Sequence, residues 1–230
     1  MSSASSKRPP VRGAARRADA PKPRGLVPQG SAAHEVRIIG GQWRRTRLKV
    51  LDKPGLRPTP DRVRETLFNW LGQDLSGWHC VDAFAGTGVL GLEAASRGAA
   101  GVLLVEQDAV LVRHLQDHVT RLKAAAVSVQ RADGVNTLAR LPAGSVDLVF
   151  IDPPFDGPWF EPALQAAARA VPVGGWVYLE APVAWSAPAL AACGLQCERH
   201  LKAGAVHAHL LQRVSPAPIP LAILTEGNTP

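Results

Sequence analysis

From Trp78 onward the chain alternates apolar runs with amphipathic segments, and the first run breaks into a glycine-rich turn, VDAFAGTGVLGLEA. This junction restricts the fold more than any other feature. An apolar run that ends at Asp82, turns through Gly86-Thr-Gly88 and enters a helix containing Gly91 has the form of a parallel strand feeding a crossover helix. HCVDAFA, VLLVEQ, AVSVQ, VDLVFID and GWVYLE are the successive strand candidates, followed by LQCERHL and VHAHLLQR. Helical segments separate the first five, for example Val110 to Leu122, where Leu111, Leu115, Val119 and Leu122 share a face. Near-continuous apolar strands alternating with helices imply a sheet covered on both faces. The last two strands have no helix between them, so that edge is antiparallel. The expected class is α/β, a mostly parallel, doubly wound sheet with an antiparallel edge strand.

An addition precedes the sheet. In HEVRIIGGQWRRTRLKV two β-prone runs flank Gly40-Gly41, a hairpin signal. LRPTPDRVRETLFNWLG follows as a helix, with Thr59 expected at the N-cap, Pro60 at the first helical position and Gly72 past the end. Val63, Leu67, Trp70 and Leu71 form its apolar face, which leaves Arg62, Arg64 and Glu65 for the surface. Five prolines among Ser, Ala and Arg make residues 1–33 an expected disordered basic tail. The expected division is therefore 1–33 tail, 34–72 hairpin and helix, 73–213 sheet domain, and 214–230 proline-rich tail.

Charge placement narrows the partner. Residues 1–30 hold seven Lys/Arg against Asp19, and residues 35–65 hold nine basic against four acidic side chains. Residues 66–230 hold ten basic and fourteen acidic, so the whole surplus of +7 lies before residue 66. A basic front on a mildly acidic body suits a polyanion reached through one end. Three cysteines, the last two spaced CxxxC, disfavour a disulfide framework and a zinc site. No apolar run approaches a membrane span, and no apolar segment opens the chain, so a cytoplasmic protein is expected.

Two motifs carry chemistry. The turn at Gly86, Gly88 and Gly91 is GxGxxG in form, and Glu106 ends the next strand where a carboxylate can accept both ribose hydroxyls. A dinucleotide would set its pyrophosphate at the helix N-terminus, yet Asp82 stands there and opposes a phosphate. A phosphate-free cofactor with a cationic amino acid end fits better, and S-adenosylmethionine is one. The second motif, VDLVFIDPPF, ends a strand in Asp152, stiffens the exit with Pro153 and Pro154, and presents Phe155. An exocyclic amine of a nucleobase is a poor nucleophile because its lone pair is delocalised. A carboxylate and a carbonyl that accept its hydrogens turn that lone pair outward, and an aromatic ring can stack on the extruded base.

Taken together, these motifs resemble the class I, Rossmann-like methyltransferases that modify exocyclic amines of nucleic acid. RIIGGQWRRTRLKV followed by GLRPTPDRVRETLFNWL is similar to the RsmD family, bacterial small-subunit rRNA methyltransferases acting on a guanine 2-amino group. The resemblance runs from about Val36 to Arg213. It implies S-adenosylmethionine as cofactor and rRNA, in an assembled or assembling small subunit, as partner, with no metal or membrane. It implies that Asp82, Gly86 and Gly88 surround the methionine part, that Glu106 holds the ribose and that Asp133 lies near the adenine. Asp152, Pro153, Pro154 and Phe155 would meet the target base. Thr59 and Arg62 would approach the methionine end or the RNA. From the charge placement, Arg37, Arg44, Arg45 and Arg57 are expected to hold phosphates. A DNA adenine methyltransferase carries a similar tetrad but is disfavoured by the lack of a target-recognition domain. An NAD-dependent oxidoreductase would explain GxGxxG and Glu106 but not Asp82, DPPF or the basic front. A non-catalytic RNA-binding protein would leave the intact DPPF without a purpose. His114 and His118 are expected as solvated flank residues, and His207 and His209 receive no role.

Overall fold

Seven strands of the structure form one sheet whose order runs β5-β4-β3-β6-β7-β9-β8. The structure is a computed structural model that describes Met1 and residues 35–56 and 58–215. The described fold lies in the unit that starts at Ala33. The expected N-terminal tail after Met1, Arg57 and all of the C-terminal tail beyond Ser215 lie outside the described residues.

The elements in chain order are β1 (Glu35–Arg37), β2 (Arg47–Lys49), α1 (Asp61–Leu71), β3 (His79–Asp82), α2 (Val89–Ser96), β4 (Gly101–Glu106) and α3 (Ala109–Leu122). There follow β5 (Val127–Arg131), α4 (Gly134–Arg140), β6 (Leu148–Ile151), α5 (Phe160–Ala170), β7 (Trp176–Ala181), α6 (Ala187–Ala192), β8 (Leu195–Ala203) and β9 (Val206–Arg213). Strands β3 to β7 pair in parallel, and β9 inserts antiparallel between β7 and β8. The chain leaves β3 towards β4 and β5, then returns to β6 and β7 on the other side. The gap between the carboxyl ends of β3 and β6 is thus the topological switch point, where open α/β sheets hold ligands.

Alternation along each strand divides the apolar residues between two cores. Cys80, Leu104, Phe150, Tyr178 and Leu210 face one side, covered by Leu67 and Phe68 of α1, Leu92 of α2 and Leu115 of α3. Val81, Val105, Val149, Leu179 and Leu211 face the other, covered by Leu138 of α4, Leu164 of α5 and Leu190 of α6. Among the described residues no helix is long and apolar enough to cross a membrane.

The N-terminal addition and the α3 face that meets it depart from expectation in four places. First, β1 and β2 do pair antiparallel, but nine residues join them, and Gly40-Gly41 is not a two-residue hairpin turn. Instead, these glycines dock on the end of α2. A Cβ at Gly41 would meet the Ser96 carbonyl oxygen at 1.8 Å, while the Ser96 hydroxyl donates to the Gly40 carbonyl at 2.6 Å. Second, Pro60 rather than Thr59 occupies the α1 N-cap, and no side chain caps it. Third, Arg64, expected at the surface, is 0% exposed. Its guanidinium donates to Glu93 Oε1 (2.8 Å), Asp61 Oδ1 (2.6 Å) and the carbonyls of Arg37 (2.9 Å) and Thr59 (3.0 Å), so burial leaves it well partnered. Glu93, at the centre, also accepts the Ile39 and Gly40 backbone N–H groups. Fourth, His118 is buried and His114 half-buried rather than both solvated, because both rings bond the Lys49 carbonyl on β2. Burial lowers the His118 pKa to about 4.

Candidate active site

Four adjacent parallel strands each carry a carboxylate at or just past the carboxyl end: Glu106 on β4, Asp82 on β3, Asp152 beyond β6 and Glu180 on β7. Side chains two apart on a strand share a face. Cys80, Leu104, Phe150 and Tyr178 all belong to the core beneath α1 to α3, so the four acids form a polar rim above that core.

The glycine turn begins this rim. Gly86 and Gly88 take φ of +49° and +75°, left-handed values that only glycine adopts without strain. The turn lays Gly86 N–H on Glu106 Oε2 at 3.0 Å, while Glu106 Oε1 accepts the Asp108 N–H at 2.9 Å. Each carboxylate oxygen keeps a further lone pair, so a partly exposed Glu106 can still accept two hydroxyls. Asp82 Oδ2 accepts the Gly91 N–H at 3.2 Å, in the first turn of α2. The helix N-terminus that would bind a pyrophosphate therefore already faces an internal carboxyl. Burial is the main cause that raises the Asp82 pKa to about 7.

Asp152 is the least compensated acid. Burial, then the neighbouring Glu180 and Asp82 charges, push its carboxyl well above the usual range. Glu180, which the sequence reading passed over, is buried and accepts the Tyr178 hydroxyl at 2.9 Å. Burial raises Glu180 too, opposed by the Thr59 hydroxyl, Tyr178 and Arg64. Thr59 is thus brought to the rim through Glu180. An acid that closes an apolar strand, as in VYLE, was the available signal, and it matches the pattern of Asp82 and Glu106.

The loop after Asp152 buries Pro153 and leaves Pro154 and Phe155 exposed, with the Phe155 ring 42% accessible. Phe155 neighbours Phe160, which neighbours Trp185, with centroids 6.3 and 6.4 Å apart. Phe155 thus starts a row of tilted aromatic rings that continues through Phe160 and Trp185 to the core under α4 to α6. Asp133, two residues past β5, caps α4 by accepting the Asn136 N–H at 2.8 Å. The segment before α1 crosses the glycine turn: Leu56 Cδ1 lies 3.1 Å from where a Gly86 Cβ would stand, and Lys53 pairs with Asp108.

Of the expected RNA contacts, Arg44, Arg45 and Arg62 are exposed. Arg37 is bonded to Asp61 at 2.8 Å and remains 61% accessible. Arg57 lies outside the described residues. On the β8–β9 hairpin His209 is buried and accepts the Trp185 N–H at 3.2 Å, while His200 and His207 stack beside it. Among the described residues no cluster of three His, Cys, Asp or Glu side chains is arranged to hold a metal ion.

The residues fit a cationic, phosphate-free ligand with a ribose. The rim offers carboxyl acceptors, and none of Asp82, Asp152 and Glu180 has an ion-pair partner among the described residues.

Comparison with known proteins agrees with this geometry. The family described as Conserved hypothetical protein 95 matches residues 36–212. Ribosomal RNA small subunit methyltransferase D of Escherichia coli is 40% identical over 192 residues, covering 81% of this chain and 94% of its own. The same-named protein of Haemophilus influenzae is 43% identical over 131 residues, covering 54% of this chain and 66% of its own. The solved structure of yhhF from Escherichia coli superposes with a TM-score of 0.69 at 36% identity, covering 79% of this chain and 99% of that one.

Proposed function

Because this chain belongs to the ribosomal RNA small subunit methyltransferase D family, we propose that it methylates the 2-amino group of a guanine in small-subunit rRNA, with S-adenosylmethionine as donor. The observation that carries this reading is the carboxylate rim at the switch point, set beside the Asp152–Phe155 loop. Its acids complement a sulfonium and an ammonium, and Glu106 suits a ribose. The donor supplies an activated methyl group; alignment is the protein's task.

In this reading Asp152 accepts an amine hydrogen and Phe155 stacks on the target base. Pro153, buried, and Pro154 stiffen the loop that joins the two residues. Orientation of this kind supplies about 7–11 kcal/mol of barrier lowering when well arranged. Asp82 and Thr59 border the amino acid end of the donor, and Asp133 borders its adenine. Arg44, Arg45 and Arg62, with Arg37 and Arg57, bind phosphates and set register, since phosphate contacts position and base contacts specify. A loop guanine is the expected target, because its amine is free of pairing. The partner is rRNA within an assembled or assembling subunit, and the protein works in the cytoplasm where subunits are built.

The test is incubation of the purified chain with labelled S-adenosylmethionine and small ribosomal subunits that lack the modification, with mass mapping of the product. Label on a guanine 2-amino group is expected. Label on DNA adenine, or calorimetric binding of NAD in place of the donor, overturns the reading.

A further inference from the structure

Glu180 has no task in the mechanism above, yet it is buried at the reacting end of the sheet. Ile151 pairs with Leu179, so Asp152 and Glu180 are the next residues on neighbouring parallel strands. They share a face, since Phe150 and Tyr178, two residues earlier, meet there edge-on with centroids 6.2 Å apart. Glu180 is 3% exposed, Thr59 stands beside it, and the Tyr178 hydroxyl holds it at 2.9 Å. The guanidinium that faces it, Arg64 of α1, is committed to Glu93, Asp61 and two backbone carbonyls. From β3, Asp82 adds another carboxyl, itself facing Glu106. Neighbouring carboxyls with no cation of their own cannot all ionise.

We propose that Glu180 is a positioning residue for Asp152: the two share one proton in the free protein, and the cationic end of the methyl donor displaces that proton to solvent as it binds. This rests on the donor reading above. Asp152 then becomes a full hydrogen-bond acceptor for the amine only when the donor is in place. After the nitrogen gains its methyl group, the N–H bond that breaks returns its proton to the vacated pair. The direction of the Asp152 shift, upward through burial and the Glu180 charge, is consistent with a proton held there.

The experiment is calorimetric titration of the full chain with S-adenosylmethionine at pH 7, in phosphate and in Tris, whose ionisation heats differ. The wild type is expected to release about one proton more per donor bound than Glu180→Gln, since a pair sharing one proton gives up one while Asp82 titrates in both proteins. Binding without release by the wild type, or equal release by both proteins, overturns the proposal while leaving the donor reading intact. Absence of binding overturns both. A second readout separates positioning from packing. In Glu180→Gln the acid limb of kcat/KM for the donor should move down by about one pH unit, because Asp152 loses a like charge. A structural role would lower the rate at every pH and leave the limb in place. The variant should melt no lower than wild type, since the amide oxygen can keep the Tyr178 hydroxyl and the crowding of two carboxyls is relieved.

Discussion

Two groups of buried charge lie on the same face of the sheet and are built in opposite ways. In the network that docks the N-terminal addition, Glu93 is raised by burial but opposed by the Ile39 and Gly40 N–H groups and by Arg64 and Arg97. At the rim, burial, Glu180 and Asp82 all push Asp152 in the same direction. The first group is closed upon itself, and Arg97 even lies over the Phe68 ring at 4.4 Å. The second is left open to a ligand. Buried ions that meet counter-charges serve the fold, whereas acids gathered without an ion-pair partner are a store of proton affinity and cation affinity.

The largest effect should follow from breaking the closed network. Glu93→Ala leaves Arg64 buried without its fully buried counter-charge, an expected loss of about 3–5 kcal/mol in denaturant unfolding. If the variant unfolds at the wild-type midpoint, the network is not what secures the addition. Asp152→Ala should do the reverse: unfolding unchanged or improved, donor binding weaker but measurable, and single-turnover methyl transfer at saturating donor down by on the order of 10²-fold or more. Retention of near-wild-type turnover would remove Asp152 from the chemistry. Phe155→Ala should lower both turnover and base engagement.

Glu106→Ala sharpens the contrast from an intermediate position, because this acid is satisfied by two backbone N–H groups yet still accessible. Calorimetry should show donor binding weaker by about 1.5–3 kcal/mol, the usual worth of a charge-assisted hydrogen bond. Unchanged affinity would take the ribose away from Glu106. The smallest energies belong to charges that are in water on both counts. Replacing Arg44 and Arg45 together by alanine should lower RNA affinity and reduce the salt slope by roughly 0.7 per lost phosphate contact. Deleting residues 1–30 should weaken binding modestly and leave the modified base unchanged. Loss of site-specific methylation on tail removal, with the arginine pair dispensable, would reverse these assignments.

What was legible in the sequence followed local rules. The strand ends at Asp82 and Glu106, the glycine turn, the exit at Asp152 and the antiparallel last pair could be read from periodicity and turn chemistry, since each depends on neighbours a few residues away. The Thr59 cap was misread, because Thr59 instead adjoins a carboxyl 121 positions later in the chain. Arg64 was misassigned to the surface for a related reason. Helical spacing shows which face a residue occupies, but whether that face is wet depends on what packs against it, here Glu93 and the Arg37 carbonyl.

By itself, then, the sequence determined the class of fold, the glycine turn after β3 and the aromatic exit loop after Asp152. Only the tertiary structure decided which charges are compensated. Compensation is a sum over groups that meet in space, and at low dielectric that sum sets both stability and proton affinity. Glu93 and Glu180 are alike as residues, each a glutamate among apolar neighbours in the chain. Packing gives Glu93 two ion-paired arginines, and Glu180 a tyrosine, a threonine, another acid and the more distant charge of an Arg64 already paired elsewhere.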